Sequence, residues 1–287
     1  MAEQVRVNWF PGHMTKALRG MEGDLKLVDA VIELTDARIP RSSRNPALDE
    51  TLGNKPRLIL LNRADQADPA ATERWLRSYQ SRGLTALAVD SRSGRGVEKL
   101  SAAMRGLLKE KLEKLAAKGQ GSRPLRAMVV GIPNVGKSTF INKAARRKAA
   151  AAGNRPGVTK GRQWVTVDQS LELLDTPGVL WPRFEDPRVG EFLAFTGAVK
   201  EEILDREALA VSLAELLDRE HRAAFRARYK LGDGEYGDGP ALLEACARKR
   251  GFLVSGGETD LERMSRVLLD EFQSGSLGRI TLEEPEC

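Results

Sequence analysis

The octet Gly131-Ile132-Pro133-Asn134-Val135-Gly136-Lys137-Ser138 stands between an apolar run, Leu125–Val130, and a helical pattern over Thr139–Lys148. Two glycines, a lysine and a hydroxyl at this spacing form a loop whose amides wrap a phosphate, with a helix N-terminus behind it. Asp175-Thr176-Pro177-Gly178 follows, where a segment sensing an outer phosphate belongs. The tetrapeptide Asn62-Arg63-Ala64-Asp65, of the kind that reads a base and ordinarily comes after both, here precedes both. A sheet domain can bring the three loops to one site in this order only if its chain is circularly permuted. That constraint removes most topologies at once.

Apolar runs bounded by polar turns mark five strands: Val28–Leu34, Arg57–Leu61, Leu84–Val89, Leu125–Val130 and Leu171–Leu174. Helical patterns over Ala71–Gln80 and Val97–Ala117 lie between them. Alternation of this kind predicts an α/β domain, a mostly parallel sheet with helices on both faces, and ligands at the C-terminal ends of its strands. Lys118–Pro124 reads as the linker that stitches the permuted ends together, and Ala144–Ala152 reads as helix. Beyond Trp181 the strand signals fade. Leu209, Leu213, Leu216 and Leu217 keep helical spacing, as do Leu261, Met264 and Leu268. Thr259-Asp260-Leu261-Glu262 fits a capping box, and Gly251 and Gly275 fit stop signals. The expected division is residues 1–185 for the nucleotide-binding domain and 186–287 for a small all-helical C-terminal domain.

Each motif carries specific chemistry. Lys137 supplies charge to the outer phosphates and Ser138 a hydroxyl to Mg²⁺, with Asn134, Val135, Gly136 and Thr139 completing the phosphate site. Asp65 can accept two parallel hydrogen bonds, which guanine offers and adenine does not, so Asn62, Arg63, Ala64 and Asp65 select GTP over ATP. Lysine is commoner at the second position, but the plane of an arginine also covers a base. Asp90 and Ser91, after the third strand, fit the loop that backs the guanine edge. Asp175 suits a Mg²⁺ ligand through water, and the Gly178 amide suits a γ-phosphate contact. Thr159, bracketed by these motifs in a Gly/Pro loop, fits a switch threonine on the metal as well as a plain turn residue. Val179 stands where many such enzymes carry the glutamine that orients the attacking water, so another group must supply that contact. His13, in Asn8-Trp9-Phe10-Pro11-Gly12-His13-Met14, suits that task, a helix cap or a surface position alike.

Composition adds limits. The net charge is +6, with the basic surplus confined to residues 1–185 and the remainder acidic. This fits a polyanionic partner such as RNA, or a solubilising surface with no partner. Two cysteines, Cys246 and Cys287, give neither a disulfide framework nor a metal spacing. With no apolar run of membrane length and no signal-peptide core, the expectation is a cytoplasmic monomer with no membrane or DNA partner.

Taken together, these residues resemble the ribosome biogenesis GTPase A family of circularly permuted P-loop GTPases. The likeness also rests on Trp9–Met14, Asp36-Ala37-Arg38-Ile39-Pro40, Ser43-Arg44-Asn45-Pro46, Arg155–Thr159, Trp181–Asp186, Thr196–Lys200 and Ser255-Gly256-Gly257, spread over nearly the whole chain. The resemblance implies GTP hydrolysis coupled to late assembly of the large ribosomal subunit, with precursor particles and rRNA as partners. It implies catalysis by His13 in place of glutamine, and a K⁺ bound at Asn134, whose bland alternative is a loop-stabilising amide. It also makes the helical domain an RNA-contacting one, against its acidic charge. Two other readings compete: another K⁺-stimulated, RNA-linked GTPase, for instance in tRNA modification, and a scaffold that holds GTP without hydrolysing it.

Overall fold

The computed structural model describes residues 20–119, 123–145, 163–181, 184, 186–199, 205–234 and 236–286. His13, Thr159 and most of the Ala-rich stretch after Ala144 lie outside the described residues. Two compact units emerge: residues 20–181 together with 281–286, and residues 184–280.

The first unit is built on six strands: β1 (Ala30–Asp36), β2 (Arg57–Asn62), β3 (Thr85–Ala88), β4 (Leu125–Gly131), β5 (Gln163–Asp168) and β6 (Leu171–Asp175). Their order across the sheet is β3-β2-β1-β4-β6-β5. All neighbours run parallel except β5, which pairs antiparallel with β6 at one edge. β1, β2 and β4 are central and read as near-continuous apolar runs because both faces are covered. The edge strand β5 was not expected. Gln-Trp-Val-Thr-Val-Asp alternates and buries only Val165 fully, a pattern that a search for apolar runs overlooks.

Between the strands lie α1 (Pro46–Leu52), α2 (Pro69–Ser81), a 3₁₀ turn (Val97–Lys99), α3 (Leu100–Leu107), α4 (Lys109–Ala117) and α5 (Lys137–Ala144). Two helix expectations need correction. Val97–Ala117 is not one helix: it breaks at Leu108, which turns into the core just after Gly106, a poor helix former. The helix opening at the octet begins at Lys137 and closes at Ala144, where the Ala145 amide bonds back to Ile141 and Lys143.

One buried charge cluster secures the permutation junction. Asp29 accepts from Arg123 (3.1 and 2.8 Å) and from the Arg126 amide (2.9 Å), and pairs with Lys111 Nζ (2.7 Å). It thereby ties both sides of the linker to the start of β1. Burial alone would raise its pKa, but these donors outweigh burial and hold the carboxyl at about 2. Because the folded value lies below the unfolded one, the contribution is complete above about pH 4 and is lost as pH falls toward 2. Asp29→Asn should cost about 1.5–3 kcal/mol at neutral pH, with a smaller deficit near pH 2.5, measured by urea unfolding. An equal deficit at both pH values would show that the charge is not what matters.

The second unit is helical: α6 (Pro187–Phe195), α7 (Arg206–Glu220), α8 (Arg222–Tyr229), α9 (Gly239–Arg250) and α10 (Leu261–Ser274). Leu209, Leu213, Leu216 and Leu217 are all buried on α7, as their spacing requires. Gly251 and Gly275 cap α9 and α10 in the left-handed conformation. The N-cap of α10 is Asp260, not Thr259: its carboxylate accepts from the Arg263 amide at 2.9 Å. Asp260 is free to do this because Thr259 is held extended in a bridge with Leu253. Cys246 is buried on α9, and burial pushes its thiol up to about 12, which makes it inert. No helix among the described residues is long and apolar enough to cross a membrane.

Candidate functional site

The five parallel strands point their C-terminal ends to one edge of the sheet, so every motif that follows one of them opens on the same side. Chain order is irrelevant to that outcome. β2 delivers Asn62–Asp65, β3 leads to Asp90 and Ser91, β4 ends at Gly131 and β6 at Asp175.

Asn62 binds three of these loops together. Its Nδ2 donates to Val135 O in the phosphate loop at 2.7 Å, while its Oδ1 accepts from Ser91 N (3.2 Å) and Ser91 Oγ (2.7 Å). All three groups are buried, so the side chain braces the pocket from behind. Arg63 adopts a left-handed backbone (φ 60°) and donates to Asn134 O at 2.8 Å. Burial lowers its pKa to about 10, against the pull of Asp36 3.8 Å away, so it remains charged at neutral pH. Ala64 hangs on Val89 O, and Asp65 is exposed at the loop tip, where a base can reach it.

The phosphate loop is shaped for a ligand. A Cβ on Gly136 (φ 102°) would lie 2.5 Å from Asn62 Nδ2, so only glycine permits the brace. A Cβ on Gly178 would lie 2.8 Å from both Lys137 Nζ and Pro133 Cα, in the space between the two phosphate-facing loops. Lys137 is buried, with Nζ donating to Gly131 O (3.1 Å) and Ile132 O (2.8 Å). Burial lowers its pKa to about 8, even with Asp175 pulling the other way. A phosphate chain would replace that burial penalty with a charge partner. Ser138 and Thr139 open α5, whose N-terminal amides face the same side. A hydroxyl, a carboxylate, an ammonium and helix amides form a donor set that fits a Mg²⁺–triphosphate group.

Val179 gives the expected absence a structural form. It is buried with Met21, Val31, Leu48, Met128 and Leu174, so its side chain faces the core rather than a phosphate. Its amide bonds Gly131 O at 3.2 Å, and its carbonyl accepts from Asn45 Nδ2 at 3.1 Å. Asn45 also caps α1, accepting from the Ala47 amide at 3.0 Å. Its neighbour Arg44 pairs with Glu33, a carboxylate buried in the middle of β1 and shared with Arg57. These anchoring roles escape a motif search, although an Asn-Pro pair is a helix-start signal that would have located α1.

Asp65→Asn should weaken GTP binding by about 1.5–3 kcal/mol and raise relative affinity for xanthine nucleotides, because an amide replaces an acceptor by a donor. Competitive titration with GTP and XTP checks this. Parent-like preference in the variant would mean that the base is read elsewhere.

A family described as 50S ribosome-binding GTPase matches residues 126–222. Ribosome biogenesis GTPase A of Bacillus cereus is 46% identical over 280 residues, 98% of this chain and 94% of that protein. Mitochondrial ribosome-associated GTPase 1 of Mus musculus is 34% identical, over 97% of this chain and 91% of that one. The crystal structure of GNP-bound YlqF from T. maritima superposes with a TM-score of 0.67 at 28% identity, covering 94% of this chain and 99% of that one.

Proposed function

This chain belongs to the ribosome biogenesis GTPase A family and is a GTP-hydrolysing enzyme, and from that premise we propose that it acts in late assembly of the large ribosomal subunit. Its partners in this reading are precursor particles and their rRNA. Base, phosphate and sensor loops converge at one sheet edge, where Asn62 braces the base loop against the phosphate loop and the Val179 amide ties the sensor segment to Gly131 O; this convergence supports the reading. This occurs in a chain that matches, almost end to end, proteins named for ribosome biogenesis.

Ser138 and, through water, Asp175 would hold Mg²⁺ together with Thr159. The ion, when bound, offsets charge on the β- and γ-phosphates. Lys137 binds the outer phosphates, Gly178 contacts the last of them, and Arg63 covers the base that Asp65 reads. Asn134 sits in a left-handed turn (φ 56°) with its carbonyl accepting from Arg63, and the family resemblance assigns its side chain to a K⁺ beside the same phosphates. Exchanging K⁺ for Na⁺ should slow turnover, and Asn134→Ala should erase the difference; an unchanged rate in the parent protein rules the cation out. Residues 186–287 are the part assigned to RNA, although 281–286 group with the sheet unit, and the basic surplus of the GTPase half supplies a further attraction for it.

The partner assignment is tested by pelleting the protein with purified subunits and a non-hydrolysable GTP analogue. Retention on immature large subunits, and weaker retention on mature large and on small subunits, is the expected pattern. Equal retention on all of them would contradict it.

A further inference from the structure

The chain passes from the sheet unit into the helical one and returns to the sheet unit at Thr281. Residues 281–286 form a strap that takes no part in the phosphate chemistry. Thr281, Leu282 and Glu283 are nevertheless all buried, and their partners are the segments that hold the guanine-reading loop.

Thr281 closes a ring around that loop. Its Oγ1 accepts from the Asp68 amide at 3.0 Å and donates to Ala37 O at 3.3 Å. The Ala37 amide donates to Asn62 O at 2.8 Å. Asn62 opens the reader tetrapeptide and Asp68 is the cap of α2 just beyond it, so one hydroxyl ties the two ends of the reader together. The neighbouring Leu282 amide bonds Arg38 O at 2.8 Å.

Glu283 fixes the turn that follows. Its carboxylate accepts from the Arg41 amide (2.7 Å), the Ser42 amide (3.1 Å) and Ser42 Oγ, while Trp75 Nε1 donates to its carbonyl at 2.9 Å. The next residue, Ser43, accepts from the Asp36 amide at 2.9 Å. The Asp36 carboxylate is clamped by Arg38 (2.9 and 2.7 Å) and lies 3.8 Å from Arg63 Nε. Arg63 in turn reaches Asn134 in the phosphate loop. A buried carboxylate tolerates its position only while these donors are in place, so the strap docks as a unit or not at all.

We propose that Thr281 and Glu283 are positioning residues of the guanine-nucleotide site: the docked strap holds Ala37–Ser43 and Asp68 in register and thereby sets the placement of Asn62 and Arg63. The inference rests on the assignment of Asn62–Asp65 as the base reader. It implies reciprocity, since a strap that tightens nucleotide binding must itself be tightened by nucleotide to the same degree.

The test uses the full chain with Thr281→Val, Thr281→Ser and Glu283→Gln, and fluorescent GDP as the probe. Valine keeps the shape and removes the bridge, serine keeps the bridge, and glutamine sets an NH₂ against backbone donors. Thr281→Val and Glu283→Gln should each raise the GDP Kd by about tenfold, well below their melting temperatures, while Thr281→Ser stays near the parent. In the parent, saturating GDP should slow hydrogen exchange at the Leu282 and Asp68 amides. Variants that melt earlier yet bind GDP as the parent does would reduce the strap to a structural staple and overturn the proposal. If Thr281→Val does not fold, exchange at Leu282 that is indifferent to GDP overturns it equally. Asp65→Asn separates the two assignments. A shift in its guanine preference alongside silent strap variants sinks the strap proposal alone, whereas an unshifted preference removes the reader itself and the proposal with it.

Discussion

In the Lys137→Ala protein, GTP turnover falls by about a hundred- to a thousandfold, the scale of removing one preorganised charge from a developing phosphate charge. No other residue of the octet is charged, so nothing nearby can substitute. Lys137 also imposes a pH dependence on the parent. Its pKa lies near 8 in the free site because burial disfavours the ammonium, whereas phosphates favour it. Nucleotide binding therefore takes up a proton above that value. GTP affinity should be flat below about pH 8 and then weaken by up to about tenfold per pH unit, a slope that Lys137→Ala abolishes. Turnover close to the parent value in the variant would contradict the assigned phosphate site.

His13→Ala is expected to lower turnover on large subunits by about ten- to a thousandfold while changing GTP affinity little. The position after Gly178 is closed to water chemistry, because Val179 is packed into the core and both of its backbone polar groups are engaged. Some other polar group must orient the attacking water, and the family resemblance nominates His13. Single-turnover rates with bound GTP separate the roles: parallel losses of affinity and rate would make His13 structural, and a full rate would remove it from catalysis.

Much of this architecture was legible because its signals are local. Fully buried parallel strands read as apolar runs, and each loop motif carries its chemistry in a few adjacent residues. The inverted order of Asn62–Asp65 and Gly131–Ser138 therefore sufficed to require a permuted sheet. What stayed hidden depends on partners distant in sequence. Nothing around Asn62 says that its amide reaches Val135, and nothing around Glu283 says that it docks on Ser42. Buried Glu33 makes sense only once Arg44 and Arg57 are seen beside it. β5 and the broken helix at Leu108 have another origin: a half-exposed edge strand alternates without forming an apolar run, and a glycine-weakened turn interrupts a helix whose pattern continues across it.

In the proposed function this permuted site hydrolyses GTP in response to a ribosomal particle, which steady-state GTP turnover with purified precursor large subunits added or withheld decides. Turnover that is slow alone and rises at least about tenfold with large subunits, but not with small ones, is the predicted result. A rate that is the same with and without either particle would contradict it.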